Sequence, residues 1–500
     1  MTEGHAQPQV APPDTRWPQQ PVIHEVFTWP WLTALARRHR RSVTLANAPA
    51  DAWDALALPG VDTVWLMGVW QRSERGREIA LRRQSYRDAT AATLADARDE
   101  DVVGSAYCVR AYEVDERIGG DAGLASARAA LAERGLKLVL DWVPNHVAPD
   151  HEWVLMHPEY FVHGSEADRE REPDAWIETP HGLVAHGRDP YFPPWPDVVQ
   201  LNPLSARLRD AVVDTLSKIA ERCDGVRCDM AMLFLDDVAI RTWGERLGPV
   251  LAEPYWVEVT RRVKAKHPSF LFLAETYWDL ESRLFEEGID RCYDKRLADC
   301  LSNNGADAVR RHIDTDPDWQ SRLVRFLENH DEPRSAAVYS FPRLSAAAVA
   351  LLTLPGTILL YEGQAEGRRV RTPVHLARSP DEKPDPQIAD LWDRLLRLAA
   401  DEHLRRGRWR MLEVEGWPDN QSCANLLAWR WDDHLVVINY ADSGAEGRVR
   451  LDEPVRDGTW TFFDLLDEVS YERRGDELDA AGLYVALLPY GAHLFRIGRR

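Results

Sequence analysis

Three acids close short apolar runs at widely separated points of the chain. Asp229 ends G-V-R-C-D, Glu275 ends F-L-F-L-A-E, and Asp331 ends L-V-R-F-L-E-N-H-D. A carboxyl pair can hydrolyse an acetal with retention when the groups stand about 5–5.5 Å apart. One is then the nucleophile and the other the acid/base, with an oxocarbenium-like transition state between them. Asp229 and Glu275 lie one strand–helix unit apart, so neighbouring strand ends can bring them to that separation. A third carboxylate nearby would raise the pKa of the acid and keep it protonated near neutral pH. Asp331 fits that place. Acidic strand ends are common in α/β enzymes, so these residues by themselves leave the reaction open.

The elements that must hold them are short and strongly apolar. Strands are expected at 61–67, 136–141, 225–229, 270–275, 323–331 and 357–362, with a first strand at Val22–Phe27. Continuous apolar runs of this length suit strands buried on both faces, as in a parallel sheet. Helical patterns separate them. Residues 121–134 carry Leu124, Ala127 and Leu131 on one stripe and close on Gly135, a fitting C-cap. Residues 205–222 and 386–400 repeat apolar positions at the helical period.

Strand–helix alternation calls for a parallel α/β architecture, either a barrel or an open sheet. Asp141, Asp229, Glu275 and Asp331 fall at four different strand ends, as in a (β/α)₈ barrel whose chemistry collects at the C-terminal face. No G-x-G-x-x-G or G-x-x-x-x-G-K-[ST] follows a strand, which removes the main support for a nucleotide-binding open sheet. A TIM (β/α)₈ barrel over residues 21–406 is therefore expected, after a flexible tail at 1–20. Residues 147–204, rich in Pro, His and aromatics, are too long for a structureless loop and read as a small inserted subdomain after strand 3. From 407 to 500 the period turns strand-like, with runs at 425–431, 434–440, 459–466 and 483–488. That stretch reads as a C-terminal antiparallel β-sandwich domain.

Composition narrows the partners. The 500 residues carry a formal net charge of -20, spread along the chain, which repels polyphosphates and anionic lipid surfaces. Nucleic acid and membrane are excluded as partners; a neutral substrate is not. Twenty Trp fit core packing, and their flat faces also suit sugar rings. The six Cys show no C-x-x-C pair and no metal-ligand spacing. The first twenty residues have neither a basic nor an apolar leader region, and no apolar run is long enough to span a bilayer. The expected setting is the reducing cytoplasm. Nothing in the pattern fixes an oligomeric state.

The contexts of the acids carry a resemblance. D-W-V-P-N-H (141–146), G-V-R-C-D-M-A (225–231), L-A-E-T (273–276) and L-E-N-H-D (327–331) resemble, in order, the four signatures of the alpha-amylase family of glycoside hydrolases. V-V-Q-L-N-P (198–203) is similar to a further short signature of that family. The resemblance implies a retaining glycosidase with Asp229 as nucleophile, Glu275 as acid/base and Asp331 stabilising the distorted sugar. It implies that Arg227 holds the nucleophile ionised, that His146 and His330 bond substrate hydroxyls, and that Tyr107 stacks beneath the sugar. It offers Asn145 as a calcium ligand, with side-chain satisfaction inside the barrel the equal alternative. No other cofactor is implied.

Departures from the family pattern bear on specificity. Ala111 stands where many relatives carry Asp, and Met232 and Leu233 where starch-degrading relatives usually carry Lys and His. Both calcium and a long-chain endo-acting enzyme lose support there. Met230, after the nucleophile, matches neither residue common in relatives. The substrates expected are oligosaccharides or disaccharides with α-glucosidic bonds, short α-glucans among them. The alternatives are an α-transglucosidase using the same intermediate and, in another class, a catalytically silent carbohydrate- or protein-interaction module. A metal-dependent barrel enzyme is weaker, since no H-x-H or H-x-x-E cluster ends a strand.

Overall fold

Eight parallel strands close into a barrel in the computed structural model, which describes residues 17–452 and 458–499. In chain order they are β1 (Val22–Phe27), β2 (Thr63–Met67), β3 (Lys137–Trp142), β4 (Gly225–Cys228), β5 (Leu271–Ala274), β6 (Arg291–Tyr293), β7 (Leu323–Arg325) and β8 (Thr357–Tyr361). β8 pairs with β1 and closes the ring. Alternate side chains fill the barrel interior, among them Ile23, Trp65, Val139, Leu273, Tyr293, Val324 and Leu359. The other face, with Val26, Leu66, Leu140, Val226 and Phe272, packs with helix residues such as Leu124, Leu208, Val212 and Val259. Burial on both faces is why the strands read as unbroken apolar runs.

The surrounding helices form where the pattern placed them. Gly120–Ala132 ends in a Schellman turn: Leu136 N–H donates to Leu131 O, and Gly135 takes a left-handed φ of +72°. Ser205 caps Ala206–Ala220 by accepting from Leu208 N, and Asp385 caps Pro386–Asp401 through Gln387 N and Ile388 N.

Between β3 and β4 the chain builds a four-stranded antiparallel sheet. Its strands are His146–Val147, Trp176–Thr179, Gly182–Gly187 and Trp195–Gln200. Beyond the barrel, Leu426–Arg430, His434–Asn439, Thr459–Asp464, Val469–Arg474 and Ala492–Arg499 join Arg410–Met411 in a six-stranded sheet. Val414–Glu415, Ala445–Val449 and Leu483–Leu487 form a second sheet. Leu426, Leu435 and Val437 of one pack with Val449, Leu483 and Val485 of the other. This is a TIM barrel with an inserted sheet and a C-terminal antiparallel sandwich.

Two expectations need correction, and one strand lies beyond them. β6 carries no strand signal in the sequence, because three residues are too few to show a period. β7 stops at Arg325, not Asp331. Beyond it the chain is held by its own polar groups: Asn329 Oδ1 accepts from Asp331 N and Glu332 N, and the Glu328 carboxylate accepts from Arg334 and Ser335. Of the expected tail, residues 1–16 lie outside the described residues, but 17–20 are tied to the barrel. Trp17 Nε1 donates to Ser269 O at 2.9 Å, and Arg291 Nη2 to Gln19 O at 3.2 Å.

All six cysteines are free thiols, and five are buried. No helix among the described residues is long and apolar enough to cross a membrane.

Candidate active site

The two-residue period of a strand puts Arg227 and Asp229 on the same inward face of β4, one layer apart. In the ladder Arg227 stands between Asp141 of β3 and Leu273 of β5. Asp229 N–H extends the pairing to Trp142 O at 2.8 Å, and Glu275 N–H reaches Cys228 O at 2.9 Å. Both acids therefore sit on backbone fixed by neighbouring strands. Met230 then takes φ +44° and ψ +43°, a left-handed conformation that costs a non-glycine residue about 1 kcal/mol or more. In that conformation its N–H donates to Glu275 Oε2 at 2.7 Å.

Arg227, fully buried, bridges the acids. Its Nη1 donates to Asp229 Oδ1 at 2.6 Å, Nη2 lies 2.8 Å from Glu275 Oε2, and Asp331 Oδ2 is 4.0 Å from Nη2. The Nη2 contact is one of charge, since its angles do not make a hydrogen bond. The guanidinium is walled by Trp65, Tyr107 and Tyr293, with ring centroids 5.2–5.6 Å away. Tyr277 O–H donates to Glu275 Oε1 at 2.8 Å.

Burial pushes Glu275 up to about 7; Arg227 pulls it back, while Asp229 and Asp331 add to the rise. A third carboxylate is not the main source of the rise expected from the sequence; desolvation is the larger cause. Burial also raises Asp229, and Arg227 offsets only part of the effect. Asp331 goes the other way. Desolvation works to raise it, but His330, Arg227 and Arg371 together outweigh that, and it falls well below the usual carboxylate range. His330 Nε2 lies 2.9 Å from Asp331 Oδ2. The three acids thus differ in state: Glu275 holds its proton near neutrality, and Asp331 does not.

These groups line a cleft of about 300 Å³ together with Ser105, Tyr107, His146, Trp195, Val198, Met230 and Tyr277. That is the small end of the range for ligand sites, about 300–1,000 Å³. A larger hollow of about 540 Å³ lies at the opposite, N-terminal face near Lys137, Asp224 and His267, away from the acids. Of the residues singled out in the sequence, Asp229, Glu275, Asp331, Arg227, His330, Tyr107 and His146 all meet around the cleft. Tyr107 stacks on His330 with centroids 5.3 Å apart, and its hydroxyl is 2.7 Å from His330 Nε2. His146 leans on Trp195, and burial lowers its pKa to about 3, so its imidazole is neutral. Asp141 is fully occupied beneath, accepting from Trp65 Nε1 at 3.1 Å and Gly68 N at 2.6 Å.

Asn145 is not free to ligate. Gln200 Nε2 donates to both its Oδ1 (2.9 Å) and its main-chain O (3.0 Å), so an amide donor stands against the two oxygens that would face a cation. Its Nδ2 meets His146 Nδ1 at 3.3 Å. The side chain is satisfied inside the protein, and these residues do not fit a calcium site.

Sequence reasoning missed Glu25, Tyr277 and Trp195. Glu25 is buried on β1 and bonds His330 Nδ1 at 2.5 Å. An acid inside the apolar run V-I-H-E-V-F was a readable signal for it. Tyr277, two residues past Glu275, carried none.

No family model matches the chain. It is 26% identical over 470 residues to an alpha-amylase of Haloarcula japonica, covering 92% of this chain and 59% of that protein. Alpha-amylase 3 of Dictyoglomus thermophilum is 24% identical over 271 residues, half of each chain. The chain thus spans between half and three-fifths of the length of these curated relatives. The crystal structure of a maltogenic alpha-amylase from Thermotoga neapolitana superposes with a TM-score of 0.66 at 17% identity, covering 96% of this chain and 99% of that one. The chain is thus similar along 92% of its length to a protein named as an alpha-amylase, and its fold matches that of a solved maltogenic alpha-amylase.

Proposed function

We propose that the chain is a retaining α-glycosidase acting on α-glucosidic bonds of short α-glucans or disaccharides. The observation that carries this reading is the single buried guanidinium of Arg227 touching both Asp229 and Glu275 at the floor of the cleft. One cation contacting both acids keeps them close together, as retention requires. Asp229 attacks the anomeric carbon while Glu275, protonated near neutrality, gives its proton to the leaving oxygen. Glu275 then takes a proton from the incoming water, which releases the sugar from Asp229. Asp331, held as a carboxylate, accepts hydroxyls of the sugar in its distorted form. Tyr107 and the neutral His146 bound the same ring.

The small cleft supports short substrates. Beside it stands an aromatic rim: exposed Tyr191 and Trp278 meet edge to face at 4.9 Å, with exposed Phe192 adjacent. Asp189 Oδ1 fixes the first segment by accepting from Tyr191 N and Phe192 N, and Trp278 takes a left-handed φ of +65°. Such faces suit sugar rings beyond the cleavage point. Six unpaired thiols fit a reducing, cytoplasmic setting.

The test is the product profile from maltopentaose over time, with Asp229→Asn as control. Shorter sugars alone mean hydrolysis. Products longer than the substrate mean that a sugar acceptor displaces water, making the enzyme an α-transglucosidase. No turnover of maltopentaose, sucrose, trehalose or α-1,6 sugars, by wild type as by Asp229→Asn, would leave the silent interaction module as the reading.

A further inference from the structure

His330 is sealed in the barrel wall between two carboxyl groups, one on each ring nitrogen. Nδ1 lies 2.5 Å from Glu25 Oε1, and Nε2 lies 2.9 Å from Asp331 Oδ2. The Tyr107 hydroxyl is 2.7 Å from Nε2, and the Trp65 edge closes the remaining side at 5.6 Å. A neutral imidazole has one N–H and one lone pair, so in either tautomer a lone pair would face a carboxylate oxygen. The imidazolium, with hydrogen on both nitrogens, meets both carboxylates; a neutral ring with hydrogen on Nδ1 can accept the Tyr107 hydroxyl at Nε2 but leaves that lone pair 2.9 Å from Asp331 Oδ2. Glu25 is wholly buried and its Oε2 makes no hydrogen bond, so His330 is its hydrogen-bond partner among the described residues.

From this arrangement we infer that Glu25 is a positioning residue: it locks His330 as a cation whose Nε2 lies against Asp331 and the Tyr107 hydroxyl. It acts through His330 and does not touch substrate. The inference rests on the glycosidase reading of the cleft only for its kinetic consequence. Glu25 orients the ring through Nδ1, as a carboxylate behind a catalytic histidine fixes which nitrogen carries hydrogen. The charge balance favours it as well. Five carboxyl groups, Glu25, Asp141, Asp229, Glu275 and Asp331, surround this part of the barrel; Arg227 lies in their midst, and Arg72 and Arg371 act on Asp141 and Asp331. A protonated His330 adds a positive charge where Glu25 and Asp331 both face it.

The groups facing His330 are Glu25 on β1, Asp331 beyond β7, Tyr107 from the loop before Val109–Val114, and at longer range Asp141 on β3 and Asp229 at the end of β4. Burial would discharge the ring, but the flanking carboxylates outweigh it and raise His330 to about 10.

The test is nitrogen-15 NMR of the histidine rings in the substrate-free protein, with the His330 signals assigned by His330→Asn. Both ring nitrogens of His330 are expected to remain protonated near pH 8, where an unperturbed histidine is neutral. In Glu25→Gln, which keeps a hydrogen-bond acceptor but loses the charge, His330 is expected to become neutral at lower pH. A neutral His330 near pH 8 in the wild type overturns the proposal, and that spectrum decides even if the variant does not fold. A folded Glu25→Gln whose His330 titrates as in wild type overturns it equally. Kinetically, Glu25→Gln is expected to lose about tenfold in kcat/KM near pH 8 relative to its loss near pH 6, and Glu25→Asp to recover part of it. The NMR arm needs no substrate, so failure of the glycosidase reading, seen as inert wild type, stays separate from failure of this one.

Discussion

Arg227 reaches Asp229 through one guanidinium nitrogen at 2.6 Å and Glu275 through the other at 2.8 Å. The planar fork thus sets the relative position of the two acids and opposes the rise in pKa that burial imposes on both. Lysine is a point charge on a flexible stem and cannot reproduce this. Arg227→Lys is expected to lower kcat by about a hundredfold or more, with a smaller effect on KM. Steady-state kinetics beside a thermal melt would check it, since a loss explained by unfolding would appear in the melt.

The pH profile follows from the directions of the shifts. Asp229 must be ionised to attack, and its pKa is raised, so the acid limb should lie above the range of an ordinary aspartate. Glu275 must be protonated to donate, and its pKa is raised to about 7, so activity should fall as pH rises through that value. Tyr277 O–H stabilises the ionised form of Glu275. Tyr277→Phe should therefore move the alkaline limb of kcat/KM upward by about one unit. A limb that stays put or moves down would contradict the assignment of Glu275 as the acid.

Gln200 ties the inserted sheet to the barrel where a cation would otherwise be invoked. A chelator is expected to leave both the melting temperature and the turnover unchanged. Gln200→Ala should lower stability by about 1–3 kcal/mol, because Asn145 Oδ1 and Leu201 O lose the Gln200 donor and Asn145 O is left with that of Leu201 N. A melt that rises with added calcium would contradict this account of Asn145.

Trp278 and Tyr191 stand outside the cleft, so their effect should depend on chain length. Trp278→Ala is expected to weaken binding of maltopentaose by about 1 kcal/mol, roughly fivefold in KM, and to leave the KM for maltose unchanged. Equal effects on both substrates would remove the rim from substrate binding.

Much of this architecture was legible because barrel strands buried on both faces write continuous apolar runs, and inward acids end them. Asp141, Arg227, Asp229 and Glu275 fall on the inward face by simple alternation. β6 was illegible because Arg291–Tyr293 is too short to show any period. The early end of β7 was hidden because Asn329 and Glu328 hold the turn through side chains, which no periodicity records. Glu25 was overlooked for another reason: its partner His330 lies 305 residues away, and only closure of β8 onto β1 brings them together. The Tyr277 contact depends on a loop conformation that the sequence does not announce.

If Asp229 is the nucleophile, the configuration at the anomeric carbon is retained. Proton NMR of the anomers released from maltopentaose in the first minutes, before mutarotation scrambles them, reads this out. The α-anomer is expected first, with no product from Asp229→Asn under the same conditions. Release of the β-anomer first, or undiminished turnover by Asp229→Asn, would contradict it.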